Sequence, residues 1–182
     1  MSTLWPLSRL LDNIYKLLQI WLIMSNSLIL VPARFGSSRF PGKPLAKIHG
    51  KSMIEYVMNN CKDSGLDWAI VTDNDEIEAE VRRVFVSDTK NVVRVIDDVA
   101  TGSERIALAY KRFFTPELSG KEYQNIINVQ GDEPLLKYNT ILDISKGHLN
   151  SDFDIYTGVK KRFFNDEEFL NKNIVKCIRS EN

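Results

Sequence analysis

Ser27-Leu-Ile-Leu-Val-Pro-Ala33, followed by Arg34-Phe-Gly36-Ser37-Ser38-Arg39-Phe-Pro41-Gly42-Lys43-Pro44-Leu45, decides how this chain is read. The first seven residues are a short, nearly unbroken apolar run. Such a run, closed by a Gly- and Pro-containing stretch, predicts a strand buried on both faces. The second part predicts a loop in which three cations, two hydroxyls and two glycines converge just beyond that strand.

Working outward, strand and helix patterns alternate. Ser52–Lys62 carries Met53, Ile54, Val57 and Met58 at helical spacing, with Ser52 as N-cap. Trp68–Thr72 predicts a strand, Asp73–Phe85 a helix with Ile77, Val81 and Val84 on one face, and Asn91–Ile96 a third strand. Ser103–Phe114 predicts a helix, Asn125–Val129 a strand, Tyr138–Leu149 a helix and Asp154–Val159 a strand. A short helix over Asp166–Leu170 and a strand over Ile174–Ile178 complete the series. This alternation implies βαβ units with right-handed crossovers and a mostly parallel sheet. The expected fold class is α/β: three layers, Rossmann-like, one domain. Ligands in such sheets bind beyond the carboxyl ends of the strands.

The 182 residues balance 24 Lys and Arg against 24 Asp and Glu, with 43% hydrophobic and 26% charged residues. That is an ordinary soluble composition. Zero net charge argues against a general grip on nucleic acid or an acidic membrane surface. Cys61 and Cys177 are too few for a disulfide framework and point to a reducing compartment. His49 and His148 stand alone, without zinc-type spacing.

The loop has the composition a triphosphate needs. Arg34 and Arg39 can clamp phosphate oxygens bidentately, Lys43 supplies a compact charge, and Ser37 and Ser38 offer hydroxyl donors. It is neither a Walker A loop nor a GxGxxG turn. The competing reading is a solvated loop whose basic residues face water; the position after the first strand favours the ligand. A second site element is Gln130-Gly131-Asp132-Glu133-Pro134 after the fourth strand. Gly131 permits a sharp turn that carries Asp132 to the strand end. A carboxylate there can hold Mg²⁺, which takes a few carboxylates together with substrate phosphates. An ordinary Asx-type turn is the alternative.

The string from Pro32 to Leu45 resembles the sugar-nucleotide cytidylyltransferases, and most of all the 3-deoxy-manno-octulosonate (Kdo) cytidylyltransferases. Val129-Gln-Gly-Asp-Glu-Pro134 resembles a second motif of that family. The resemblance implies that Arg34, Ser37, Ser38, Arg39 and Lys43 contact the phosphates of CTP. It also implies that Asp132 binds metal, Mg²⁺ being the expected cofactor, and that Gln130 lies at the sugar and nucleotide. Gly36-Ser37-Ser38 stands where the family often has Ala-Ser-Thr. Val71-Thr72-Asp73 resembles Ala-Thr-Asp near the nucleoside, although Asp73 is equally a good N-cap. Thr101-Gly-Ser-Glu-Arg-Ile-Ala107 resembles Ser-Gly-Thr-Glu-Arg-Leu-Ala. There Ser103 could cap the helix, whose N-terminus with Glu104 and Arg105 could meet an anionic ligand. Asn171-Lys-Asn-Ile-Val-Lys176 resembles Asn-Pro-Asn-x-Val-Lys, with Lys172 for Pro, and carries no assigned role.

The implied activity is transfer of a cytidylyl group from CTP to Kdo in the cytoplasm, serving lipopolysaccharide synthesis. The implied partners are these two small molecules and, at full length, a second copy in a homodimer; neither nucleic acid nor membrane is expected. Alternatives are a sibling enzyme for 8-amino-Kdo or sialic acid, or a non-catalytic remnant that binds nucleotide. The expected domain covers 24–182 and is incomplete at its C-terminus, since the family continues further with a second metal carboxylate. Residues 1–23 are read as an extension upstream of a true start at Met24. The other reading is an amphipathic surface anchor, because Leu7, Leu10, Leu11, Ile14, Leu17, Leu18 and Trp21 share a helical face while Arg9, Asp12 and Lys16 interrupt any membrane span.

Overall fold

The computed structural model describes residues 9–15, 17–18, 21, 26–36, 40–85, 89–159 and 170–172. The start at Met24, the strand over Ile174–Ile178 and all but Leu170 of the helix over Asp166–Leu170 lie outside them. So do Ser37, Ser38 and Arg39.

Four parallel strands form the central sheet: β1 (Ser27–Ala33), β4 (Asp67–Thr72), β5 (Val92–Arg94) and β6 (Asn125–Asn128). Their spatial order is β5-β4-β1-β6. Leu28 pairs with Asp67 on one side and Ile126 on the other, so β1 is central. Its continuous apolar run follows from that position. Ile29 and Val31 enter a core with Ile54, Val57 and Met58 of helix α1 (Met53–Asp63), Ile77 and Val81 of α2 (Asp75–Val84), and Ile141 of α5 (Tyr138–Leu149). Leu28 and Leu30 face the opposite core, with Ile106 and Ala109 of α3 (Gly102–Ala109). Helices on both faces make the three-layer α/β architecture that the alternating pattern predicts.

Several expectations need correction. Ser52 stands at the N-cap position of α1 without a side-chain cap bond. Asn74, not Asp73, caps α2: its side chain accepts from the Ile77 N–H at 3.0 Å. Thr101, not Ser103, caps α3, accepting from the Glu104 N–H at 3.1 Å. The helix expected to run on to Phe114 widens into a π turn over Tyr110–Phe114. It ends at Thr115, whose backbone is extended as the residue before Pro116 must be. Pro116–Ser119 then forms the short α4.

Asp154–Val159 is not a strand. The segment lies against α5 instead: a Cβ on Gly147 would stand 2.7 Å from the Tyr156 ring, so Gly147 makes room for that contact. An unforeseen hairpin joins β2 (Lys47–Ile48) to β3 (Lys51–Ser52). Its two turn residues, His49 and Gly50, both have positive φ, as a type I′ turn requires.

In the N-terminal stretch, 9–15, 17–18 and 21 are helical, and Leu10, Leu11, Ile14, Leu17, Leu18 and Trp21 are exposed. Among the described residues no helix is long and apolar enough to cross a membrane.

Candidate functional site

The chain leaves β1 toward β4 and β5 on one side and returns to β6 on the other. That reversal opens a crevice at the carboxyl ends of β1 and β6, the place where open α/β sheets bind ligands. A cleft of about 450 Å³ lies there. Its walls are the end of β1 with Arg34, the Phe40–Pro44 segment, the start of α3 and the Gln130–Asp132 turn.

Close packing holds these walls together. Gly131 is buried, and a Cβ there would stand 3.1 Å from the Pro32 carbonyl oxygen and 3.3 Å from the Ala33 Cβ. On the other side of Pro32, a Cβ on Gly102 would stand 3.1 Å from the proline Cγ. The acidic turn and the start of α3 thus press against the same residue of β1. The basic loop closes on itself: the Gly42 N–H donates to the Phe35 carbonyl at 2.9 Å, and Gly42 takes a φ of 67°. Lys43 then opens a short 3-10 turn whose Pro44 is buried.

Lys43 Nζ donates to Asp132 Oδ2 at 2.6 Å, joining the two motifs across 89 positions of sequence. Both side chains remain partly exposed, at 36% and 45%. Arg34 is exposed and lines the cleft; no ion-pair partner for it occurs among the described residues. Gln130 is also exposed and donates to the Asn128 side-chain oxygen at 3.0 Å.

Arg105 lines the cleft from α3, yet it is buried and engaged. Its guanidinium pairs with Asp73 at 2.9 Å and also donates to the Val95 carbonyl. Asp73 is therefore held by Arg105 rather than by a helix terminus. Thr72 is buried, and its hydroxyl accepts from the Asn74 N–H at 3.2 Å. Ser103 and Glu104 are exposed and outside the cleft lining. The Glu104 carboxylate accepts from the Ala100 N–H at 2.9 Å, completing a variant of the capping box with Thr101. The Thr-x-x-Glu spacing is the sequence signal for this arrangement. It also marks Thr101 and Gly102 as the residues that bring the helix N-terminus to the cleft. The approach to α3 is fixed by Arg112, which donates to Asp97 at 2.9 Å and holds that carboxyl below its usual range.

The donor set suits a polyanion. Two cations, a helix N-terminus and one carboxylate face a crevice at the reversal of a parallel sheet. For a divalent cation, the described residues contain no group of three or more His, Cys, Asp or Glu. A single carboxylate fits Mg²⁺ only when phosphate oxygens and waters supply the other ligands.

Fold and cleft define a Rossmann-like nucleotidyltransferase domain. The family model for cytidylyltransferases matches residues 28–182, and the chain belongs to that family. Curated relatives named 3-deoxy-manno-octulosonate cytidylyltransferase are similar to it. The one from Cytophaga hutchinsonii is 37% identical over 156 residues, which cover 84% of this chain and 57% of the relative. The one from Alteromonas mediterranea is 35% identical over 153 residues, covering 84% and 58%. This chain thus spans little more than half the length of the curated relatives it matches. A solved CMP:2-keto-3-deoxy-manno-octonic acid synthetase complexed with CTP aligns with a TM-score of 0.58 and 29% identity, covering 69% of this chain and 48% of that one. A cytidylyltransferase from Leptospira borgpetersenii shares the fold at a TM-score of 0.52 and 19% identity, covering 70% and 50%.

Proposed function

We propose that this chain supplies the CTP-binding part of an enzyme that transfers a cytidylyl group to Kdo and releases pyrophosphate. The observation that carries the reading is the meeting of Lys43, Arg34 and Asp132 at one cleft on the sheet's point of reversal. Relatives that carry the Kdo cytidylyltransferase name support the choice of sugar.

In the reaction, the anomeric hydroxyl oxygen of Kdo bonds to the α-phosphorus. The bond from that phosphorus to the bridging oxygen breaks, pyrophosphate leaves with the electron pair, and the hydroxyl proton is released. Little covalent chemistry falls to the protein; positioning and charge neutralisation dominate. Lys43 and Arg34 neutralise phosphate oxygens, with Arg39, Ser37 and Ser38 as further phosphate contacts. Gln130 sits toward the sugar. The start of α3 faces the anion, and Thr72, Asp73 and Arg105 shape the nucleoside wall. Thr101 and Glu104 form the helix start, on which Ser103 is an exposed hydroxyl. Asp132 would hold Mg²⁺, which would spread the charge of the leaving pyrophosphate. The complete protein is proposed to work in the cytoplasm as a homodimer, in lipopolysaccharide synthesis.

A second reading is favoured by Asp132 being the one carboxylate that lines the cleft among the described residues: a domain that binds CTP without turnover. The test is incubation of the protein with CTP, Mg²⁺ and each of Kdo, 8-amino-Kdo and sialic acid. Pyrophosphate release and the mass of the CMP-sugar are followed, with CTP binding measured by calorimetry. CMP-Kdo formation supports the first reading. CTP binding with no product from any sugar supports the second, and absence of CTP binding sinks both.

A further inference from the structure

We propose that the Lys43–Asp132 ion pair makes divalent-cation and triphosphate binding mutually dependent, each partner masking the other until both ligands are present. This rests on the nucleotide reading above and deepens it.

The two groups sit on rigid stems. The Lys43 backbone is fixed by the closure of Gly42 onto Phe35 and by buried Pro44. The Asp132 backbone is fixed by Gly131 against Pro32. Between these stems the side chains meet at 2.6 Å while both remain partly exposed. An ion pair this exposed is weak and opens readily when better partners arrive.

A divalent cation alone meets an ammonium already on the same carboxylate oxygen, so it binds against like-charge repulsion. A triphosphate alone must draw Lys43 from Asp132 and lie beside the bared carboxylate. With both ligands, four charges re-pair: Lys43 with a phosphate, Asp132 with the cation. Each ligand then removes the obstacle to the other, and the coupling is reciprocal.

The test uses the whole chain, with Mn²⁺ as the metal probe followed by electron paramagnetic resonance and CTP binding followed by calorimetry. Lys43→Met is expected to tighten nucleotide-free Mn²⁺ binding by roughly threefold to tenfold while weakening CTP. Asp132→Asn is expected to tighten metal-free CTP binding by a similar factor while weakening Mn²⁺. Lys137→Met and Glu133→Gln remove exposed charges of the same signs outside the cleft lining without touching the pair. If these controls change the two affinities as much as the pair variants do, general electrostatics explains the effect and the proposal falls. Wild-type protein that binds CTP and Mn²⁺ with no mutual enhancement also overturns it while leaving the nucleotide reading intact. Wild-type protein that binds no CTP under either condition removes that reading, and the coupling with it. Circular dichroism of each variant checks folding. The wild-type comparison does not depend on any variant.

Discussion

Arg105 of α3 pairs with Asp73 at the end of β4 at 2.9 Å, although 32 positions separate them in sequence. The guanidinium also binds the Val95 carbonyl just past β5. One buried cation thereby joins α3 to the ends of two adjacent strands, at the wall of the cleft.

Removing that cation leaves Asp73 and the Val95 carbonyl without it. Arg105→Met is expected to cost about 2 kcal/mol, below the 3–5 kcal/mol of a fully buried pair because Asp73 is partly exposed. Urea denaturation checks this. Asp73→Asn, which keeps an acceptor for the guanidinium, should cost less.

Thr101 and Ser103 make a matched pair for testing the start of α3. Thr101→Ala removes the cap bond to Glu104 and should lower stability by about 1 kcal/mol. Ser103→Ala should change it by less than about 0.5 kcal/mol, as at an exposed position without that bond. Equal losses in thermal denaturation would return the cap to Ser103.

Gly131→Ala drives a methyl group against the Pro32 carbonyl oxygen, the Ala33 Cβ and Ile54. Backbone cannot step aside as a flexible side chain can, so the turn must move. A loss of about 1–3 kcal/mol is expected, together with weaker CTP binding as Asp132 shifts. Unchanged melting and unchanged calorimetric binding would show that the turn has slack.

Glu80 gives the fold an acid-sensitive contact. Arg83 above all, with Lys47 also bonded to it, holds its carboxyl down from 4.5 to about 2 against the opposing effect of burial. The folded value lies below the unfolded one, so the stabilisation is present above about pH 4.5 and is lost as pH falls toward 2. Glu80→Gln should therefore flatten the decline of stability across that window. Parallel curves for variant and wild type would rule this contribution out.

Much of the framework was legible because its causes are local. The run Leu28–Val31 could be buried on both faces only in a central strand. The spacing over Tyr138–Leu149 gave the helix with its observed bounds. Both motif loops lie at one cleft because βαβ topology brings strand ends to the same edge. Less was legible where two local choices competed. Asp73 and Asn74 are both good cap residues, and only the observed chain path gives the cap to Asn74 and Asp73 to Arg105. At α3 the Thr-x-x-Glu spacing did point to Thr101, but Ser103 offered the same chemistry two residues on. Asp154–Val159 carries a strand-like composition, yet a strand also needs a neighbour to pair with, and the segment packs on α5 instead.

The sequence by itself therefore determined the alternation of strands and helices, the central strand and the chemical character of the two loops. Periodicity and residue type act within a few positions along the chain, where the order of residues is the whole cause. Only the tertiary structure decided that Lys43 stands on Asp132 and Arg105 on Asp73. A charged side chain's partner is set by distance in space, and distance across 89 or 32 residues exists only once the sheet has formed.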